Sequence, residues 1–174
     1  MEYIQVQHTF PPVYDKHSRI LILGSFPSVK SREQQFYYGH PQNRFWKMLA
    51  EIFQEEIPVT IAQKQELLLR HQLAVWDVID SCEIKGSSDS SIRKVIPNDM
   101  RRILGQADIR KILLNGGKAY ELFCRYCDRE HMPEAVKMPS TSPANAAWSL
   151  DRLMESWRKE LEDDFSIDRK ADFN

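Results

Sequence analysis

Four short apolar blocks punctuate the chain, and the stretches between them carry apolar residues at helical spacing. Residues 20–23 (Ile-Leu-Ile-Leu) are apolar throughout and stop at Gly24. Such a run predicts a strand buried on both faces, here covering residues 19–24. Residues 73–79 form the second block, interrupted by one acid, Asp77. Residues 112–114 are the third, stopped by Asn115-Gly116-Gly117, and residues 135–139 the fourth. The first helix follows Asn43, with Phe45, Trp46, Leu49, Ile52 and Phe53 on its apolar face. Thr60-Ile61-Ala62-Gln63 is a capping-box pattern that opens a second helix, running to about His71. Asn98 is expected to cap a helix carrying Met100, Ile103 and Leu104. Residues 118–131 and a last segment with Leu150, Leu153, Met154, Trp157 and Leu161 complete the helical set. Strand and helix thus alternate four times, which predicts the α/β class: a mainly parallel four-stranded sheet with helices on both faces.

The remaining segments set the boundaries. Residues 1–18 read as a polar lead-in that packs across the domain, residues 19–161 as a single domain, and residues 162–174 as a polar, frayed tail. Residues 82–92, centred on Gly86-Ser87-Ser88-Asp89-Ser90-Ser91, read as a loop. A net charge of −1 excludes a bulk-basic nucleic-acid coat, so any polyanion must be met by local basic patches. No run approaches the ~18 apolar residues of a membrane span. The first residues lack the basic and apolar regions of a signal peptide. Three cysteines, an odd number, argue for a reducing compartment, and the expectation is a cytoplasmic monomer.

In a parallel α/β sheet the ligand lies beyond the carboxyl ends of the strands. Three polar signals fall there: Gly24-Ser25-Phe26-Pro27-Ser28, Asp77 with the loop after it, and Ser140-Thr141-Ser142-Pro143-Ala144-Asn145. Phe36, Tyr37, Tyr38 and His40 add flat rings between the first strand and the first helix. Rings beside a strand end suit a planar ligand. Asn43 sits just before that helix. From position alone it is equally an N-cap or a site residue.

The motifs G-S-F-P-S-V-K-S and F-Y-Y-G-H-P-Q-N-R-F-W resemble the first motif of the uracil-DNA glycosylase superfamily. The H-P-Q-N-R-F-W segment is similar to mismatch-specific uracil-DNA glycosylases. With W-D-V-I-D-S-C-E-I-K-G-S-S-D-S-S-I and P-S-T-S-P-A-N, the set resembles the hypoxanthine-DNA (deoxyinosine) glycosylase branch. The resemblance spans residues 9–158. It implies a three-layer α/β/α sandwich that flips a deaminated base out of DNA and hydrolyses its N-glycosidic bond, with no metal or cofactor. Two family positions differ. The Asp or Asn that many members place before the first-motif Pro is Phe26 here, and the His that opens their late motif is Met138. In the hypoxanthine branch the Asn of H-P-x-N serves instead, which implies Asn43 as the catalytic residue.

Breaking the bond develops positive charge on the sugar and negative charge on the base, so a held water and hydrogen bonds suffice. The Asn43 carbonyl is the expected water-orienting group. Gly24, Ser25, Phe26, Pro27, Tyr38, His40 and Asp77 are the candidate base-binding residues, with Asp77 as acceptor for the base N–H and amides near Phe26 as donors. Asp77 could equally be a carboxylate satisfied by loop amides or a neighbouring base. Ser28, Lys30, Ser140, Thr141, Ser142 and Pro143 are the candidate DNA contacts, Pro143 or Ala144 filling the vacated space. Arg32, Arg44, Arg93-Lys94 and Lys137 are further phosphate candidates. Two alternatives stay open: a glycosylase for uracil or another deaminated base, and a non-catalytic DNA or nucleotide reader. Cys124 and Cys127 with His131 fall inside a predicted helix and do not make a metal site. Ser25 lacks the G-x-S-x-G setting of a hydrolase nucleophile.

Overall fold

The computed structural model describes residues 2–86 and 88–171, with side chains to residue 162. The four apolar blocks form one all-parallel sheet: β2 (Ile20–Gly24), β3 (Leu73–Asp77), β6 (Lys111–Asn115) and β7 (Glu134–Met138), in the order β3-β2-β6-β7. β2 lies at the centre and all its apolar side chains are buried, which explains the unbroken run in the sequence. The chain goes from β2 to β3 on one side, then crosses to β6 on the other. Strand order therefore reverses at β2, and a crevice opens beyond the carboxyl ends there.

A second sheet was not foreseen. The second apolar block does not end at residue 79. It bends at Val78 and continues as β4 (Ile79–Ile84), the middle strand of an antiparallel sheet with β1 (Ile4–Gln7) and β5 (Arg93–Pro97). Residues expected as lead-in and loop thus become strands, and Asp89–Ser91 between them forms a single 3-10 turn. The lead-in then crosses to the parallel sheet, where Val13 and Val75 exchange backbone hydrogen bonds along the edge of β3. That pairing covers an edge otherwise open to foreign strands.

Asn98 holds the bend rather than capping a helix. Its Nδ2 donates to the carbonyls of Asp77 (2.9 Å) and Ile79 (3.2 Å), and its own N–H donates to Val78 O (2.7 Å). The helix that follows, α4 (Arg101–Leu104), is met instead by Asp99, whose Oδ1 accepts from Arg101 N–H (3.0 Å). A bend between two sheets leaves carbonyls that neither ladder can use, and a buried amide is a ready donor for them.

The helices follow the predicted apolar faces. α1 (Val29–Gln34), within the segment read as loop, is capped by Ser28. α2 (Phe45–Ile52) buries Phe45, Trp46, Met48, Leu49 and Ile52, and packs on α6 (Leu150–Ala171), whose Leu153, Trp157 and Leu161 are fully buried. Residues 162–171, expected as frayed, continue α6. α3 (Ile61–Arg70) opens with the predicted capping box between Thr60 and Gln63. α5 (Gly117–Tyr126) is shorter than predicted and packs on β6 and β7. Among the described residues no helix is long and apolar enough to cross a membrane.

Asn98→Ala should strand carbonyls at the bend. The expected cost is about 2 kcal/mol, a melting midpoint lower by roughly 4–8 °C for a chain of this size. Thermal denaturation followed by circular dichroism measures it.

Candidate active site

The last residues of the four parallel strands, Gly24, Asp77, Asn115 and Met138, all line one cavity of about 1080 Å³. Its volume reaches the upper end of ordinary ligand pockets, about 300–1,000 Å³, and is ample for a purine with its sugar. It sits where strand order reverses, so the fold delivers it without any special loop. Gly24, Ser25, Phe26, Pro27, Ser28, Tyr38, His40, Asn43, Asp77 and residues 140–145 all contribute to its wall.

Asn43 is tied by its carbonyl. Its Oδ1 accepts from Phe45 N–H (3.0 Å), in the first turn of α2, and from the Thr141 hydroxyl (2.9 Å). The Phe45 amide can donate only to oxygen, so it fixes which end of the carboxamide is which. Asn43 therefore both braces the helix start and lines the cavity. With two bonds on Oδ1, the part left to offer is the amide N–H pair; Nδ2 makes no hydrogen bond within the described residues. That corrects the expectation that the carbonyl faces water.

Thr141 is held in turn. Asn115, at the end of β6, accepts from Thr141 N–H and donates to Thr141 Oγ1, both at 3.0 Å. Because Oγ1 receives that bond, its own proton goes to Asn43. Thr141 is fully buried, so the expectation of a direct DNA contact gives way to a bracing role inside the protein.

Asp77 is almost completely buried, and its Oδ2 accepts from His8 Nε2 at 2.8 Å. His8 follows β1 and packs among Phe10, Phe26 and Tyr37, with ring centroids 4.4–6.3 Å apart. Its N–H donates to Asp80 O at 2.7 Å, which pins the residue to the start of β4. The other carboxylate oxygen lies over Gly24. A methyl there would sit 2.5 Å from Asp77 Oδ1 and 3.2 Å from Tyr38 Oη, so only glycine leaves both groups their place. Tyr38 adopts a left-handed backbone (φ 53°) and stacks on Phe45 at 4.0 Å. Its hydroxyl is closed off from solvent and, among the described residues, has no partner at full hydrogen-bond geometry, although the Asn115 side chain is near enough to act on it. Burial, then the Asp77 charge, pushes both the Tyr38 and Tyr37 phenols well above the ordinary range, so both stay protonated.

The rim departs from expectation in several places. Lys30 is outside the cavity wall and pairs with Glu33 at 3.4 Å on the exposed face of α1. Ser28 lines the wall while its Oγ caps α1. Arg44 is not a phosphate contact: its guanidinium donates to the carbonyls of Ser142, Asn145 and Trp148 and so holds the late loop closed on α2. Arg93 and Lys94 are engaged by Glu83. Arg32, Lys118 and Lys137 are the cations that do line the cavity. Ser140 and Ser142 spend their hydroxyls on the loop's own amides, while Ala144 is exposed and Pro143 half-buried. His40 lines the wall and its Nδ1 accepts from Gln42 N–H. Among the described residues no group of three or more His, Cys, Asp or Glu could hold a metal ion. Cys127 has its thiol pushed up to about 11, first by burial and then by Cys124.

His8, Asn115 and Lys118 were missed. Val6, His8 and Phe10 alternate with polar residues, a strand-like pattern that places His8 inward. Asn115 was read only as a strand stop.

Comparison with known proteins agrees with this geometry. The family described as the uracil DNA glycosylase superfamily matches residues 11–165. A hypoxanthine DNA glycosylase of Methanosarcina acetivorans is 34% identical over 154 residues, 86% of this chain and 95% of the relative. A hypoxanthine DNA glycosylase of Methanosarcina barkeri is 35% identical over 114 residues, 64% of this chain and 72% of the relative. The solution structure of a candidate uracil DNA glycosylase from Methanosarcina acetivorans superposes with a TM-score of 0.73 at 34% identity, covering 88% of this chain and 96% of that one. With a family match over most of the chain and a strand-end cavity to go with it, the protein belongs to the uracil DNA glycosylase superfamily.

Proposed function

We propose that this protein is a monofunctional DNA glycosylase that flips hypoxanthine out of DNA and removes it by hydrolysis. The observation that carries the reading is the meeting, in one cavity roomy enough for a purine with its sugar, of a carboxamide locked by two donors and a buried carboxylate. The names of the two Methanosarcina relatives point the same way.

The chemistry needs little acid or base. As the C–N bond breaks its electron pair leaves with the base, the sugar becomes cationic, and a neutral water adds to it; the proton that water sheds ends on the departing base. Asn43 supplies an N–H to that water's oxygen, which holds it while a lone pair stays free for the sugar carbon. Thr141 and Asn115 keep the carboxamide from turning. Phe26 and Tyr38 wall the flipped base and shed bulk water, which strengthens every hydrogen bond inside.

Asp77 reads the base. Hypoxanthine shows an N–H at position 1, adenine a lone pair. An acceptor opposite position 1 pairs with the first and faces the second unpaired, a mismatch of several kcal/mol. Arg32, Lys118 and Lys137 meet the phosphates, so binding weakens as salt rises. The base must also leave its stack at a cost of a few kcal/mol, least for a poorly paired lesion.

A second reading has one observation for it: Phe26 and Met138 stand where many relatives carry catalytic side chains. On that reading the cavity binds a lesion and does no chemistry.

Duplex oligonucleotides carrying inosine, uracil, xanthine or a mispair, followed by alkali, decide between them. Cleavage of the inosine strand ahead of the others, with no nick before alkali, is expected. Lesion binding without cleavage selects the non-catalytic reading. Asn43→Ala should lower single-turnover cleavage by about a hundredfold or more while retaining lesion affinity; a near-normal rate removes Asn43 from the chemistry. Thr141→Val keeps the shape and deletes the brace. Its expected loss is about tenfold in the cleavage step at saturating enzyme, with little change in affinity.

A further inference from the structure

We propose that His8 is a specificity-determining positioning residue: by donating to Asp77 Oδ2 it keeps that buried carboxylate an acceptor, and so sets which bases the cavity takes. The proposal rests on the reading of Asp77 given above and goes one residue beyond it.

A carboxylate in this position has two forms with opposite meanings. Ionised, it only accepts, and pairs with the N–H of a lactam edge such as that of hypoxanthine or uracil. Protonated, it can donate, and would suit the lone pair that adenine or cytosine shows at the same place. Burial favours the protonated form, since a charge without compensation is costly in a dry site. The polarity of the reader is therefore decided by its neighbours.

His8 is the neighbour that decides it. Nε2 lies 2.8 Å from Oδ2, both side chains are nearly inaccessible, and the imidazole is fixed by Phe10, Phe26 and Tyr37 on its faces and by its backbone bond to Asp80. With Asp77 ionised, Nε2 carries the proton and is the donor. The same bond turns the side chain so that Oδ1 lies over Gly24, at the cavity wall. Titratable groups face Asp77 from each element packed on it. His8 comes from the N-terminal segment; Tyr37 and Tyr38 come from the loop after α1 and stay protonated; Arg102 of α4 lies over the Trp76 ring and acts on Tyr37. Of these, His8 alone makes a hydrogen bond to the carboxylate among the described residues. Guanine shares the lactam edge. The pair separates lactam bases from amino bases, and guanine is held back by the greater cost of extracting it from its pair with cytosine.

The test compares His8→Phe, His8→Gln and Asp77→Asn with the unaltered protein, by single-turnover cleavage of inosine- and uracil-containing duplexes from pH 5.5 to 9. Phenylalanine fits the aromatic cluster and removes the donor; glutamine restores an N–H near the Nε2 position. His8→Phe is expected to cleave inosine at least about tenfold more slowly at pH 6. Its profile against pH should differ in shape from that of the unaltered protein, which a merely structural loss would not produce. His8→Gln should recover most of the loss and of the original shape. An unaltered profile for His8→Phe overturns the assignment of His8 alone, provided Asp77→Asn changes base preference. A folded His8→Phe whose loss is equal at every pH and is not recovered by glutamine overturns it too. Unchanged rate and preference in Asp77→Asn overturn both His8 and the reading of Asp77.

Discussion

The hydrogen-bond chain from Asn115 through Thr141 to Asn43 is the constraint on which the site depends. It joins the end of β6, the loop after β7 and the start of α2, three segments far apart in sequence. Each bond fixes the direction of the next. Asn115 gives Thr141 both a donor and an acceptor, so the Thr141 proton has one place to go, and that place is the Asn43 carbonyl. The Phe45 amide takes the second lone pair of the same oxygen. A flexible carboxamide, which in water would turn freely, is held by groups that lie on rigid elements. Arg44 extends the arrangement, since its guanidinium ties the late loop to the helix that carries Asn43. Deleting one member would leave buried partners unpaired, which is why the network behaves as one unit.

The opposite wall poses a different problem. A carboxylate at the end of a buried strand is expensive, and the fold surrounds it with compensation. The backbone just after Asp77 is held by Asn98 and by the Val78 amide, which donates to Gly24 O. Its side chain meets His8. The N-terminal segment that supplies His8 also pairs with the edge of β3 through Val13. One stretch of chain thus closes a sheet edge and positions a site group. Both walls follow the same logic: a polar group that must face the cavity is braced from behind by a group that does not.

The parallel sheet was legible because its signal is local. A continuous apolar run stopped by glycine or asparagine reads as a buried strand end, and the four such ends became the four corners of the cavity. Asn43 and Asp77 could be singled out on the same ground, as polar residues next to those ends. What the sequence hid was pairing at a distance. β4 mixes polar and apolar residues and β5 is largely exposed, and both look like loop until the three-stranded sheet is assembled. His8 directly follows a strand whose partner lies some seventy residues away. Arg44 and Thr141 were read as DNA contacts because a basic or hydroxylic residue near a binding loop usually is one. Only the fold shows that one faces loop carbonyls and the other two asparagines. Asn98 failed in a similar way: an asparagine before a helix suits a cap, yet the bend at Val78 had the stronger claim on its amide.

The absence of an acidic or imidazole side chain at Phe26 and Met138 bears on how such a site can work at all. A cationic sugar and an anionic base separate more readily where water is excluded and hydrogen bonds are already aimed, since nothing must reorganise as charge develops. Replacing a charged water-binding group with a neutral carboxamide gives up electrostatic attraction to the cation. It also takes one negative charge away from the sugar side of the cavity, leaving Asp77 as the carboxylate of the wall. What remains is geometric, so on the proposed reading the contribution of Asn43 rises and falls with how rigidly it is held. A site of this kind can tolerate the loss of acid and base only if its bracing is complete. The two hydrogen bonds on the Asn43 carbonyl, the pair of hydrogen bonds between Asn115 and Thr141, and the enclosure of Asp77 are three parts of that one requirement.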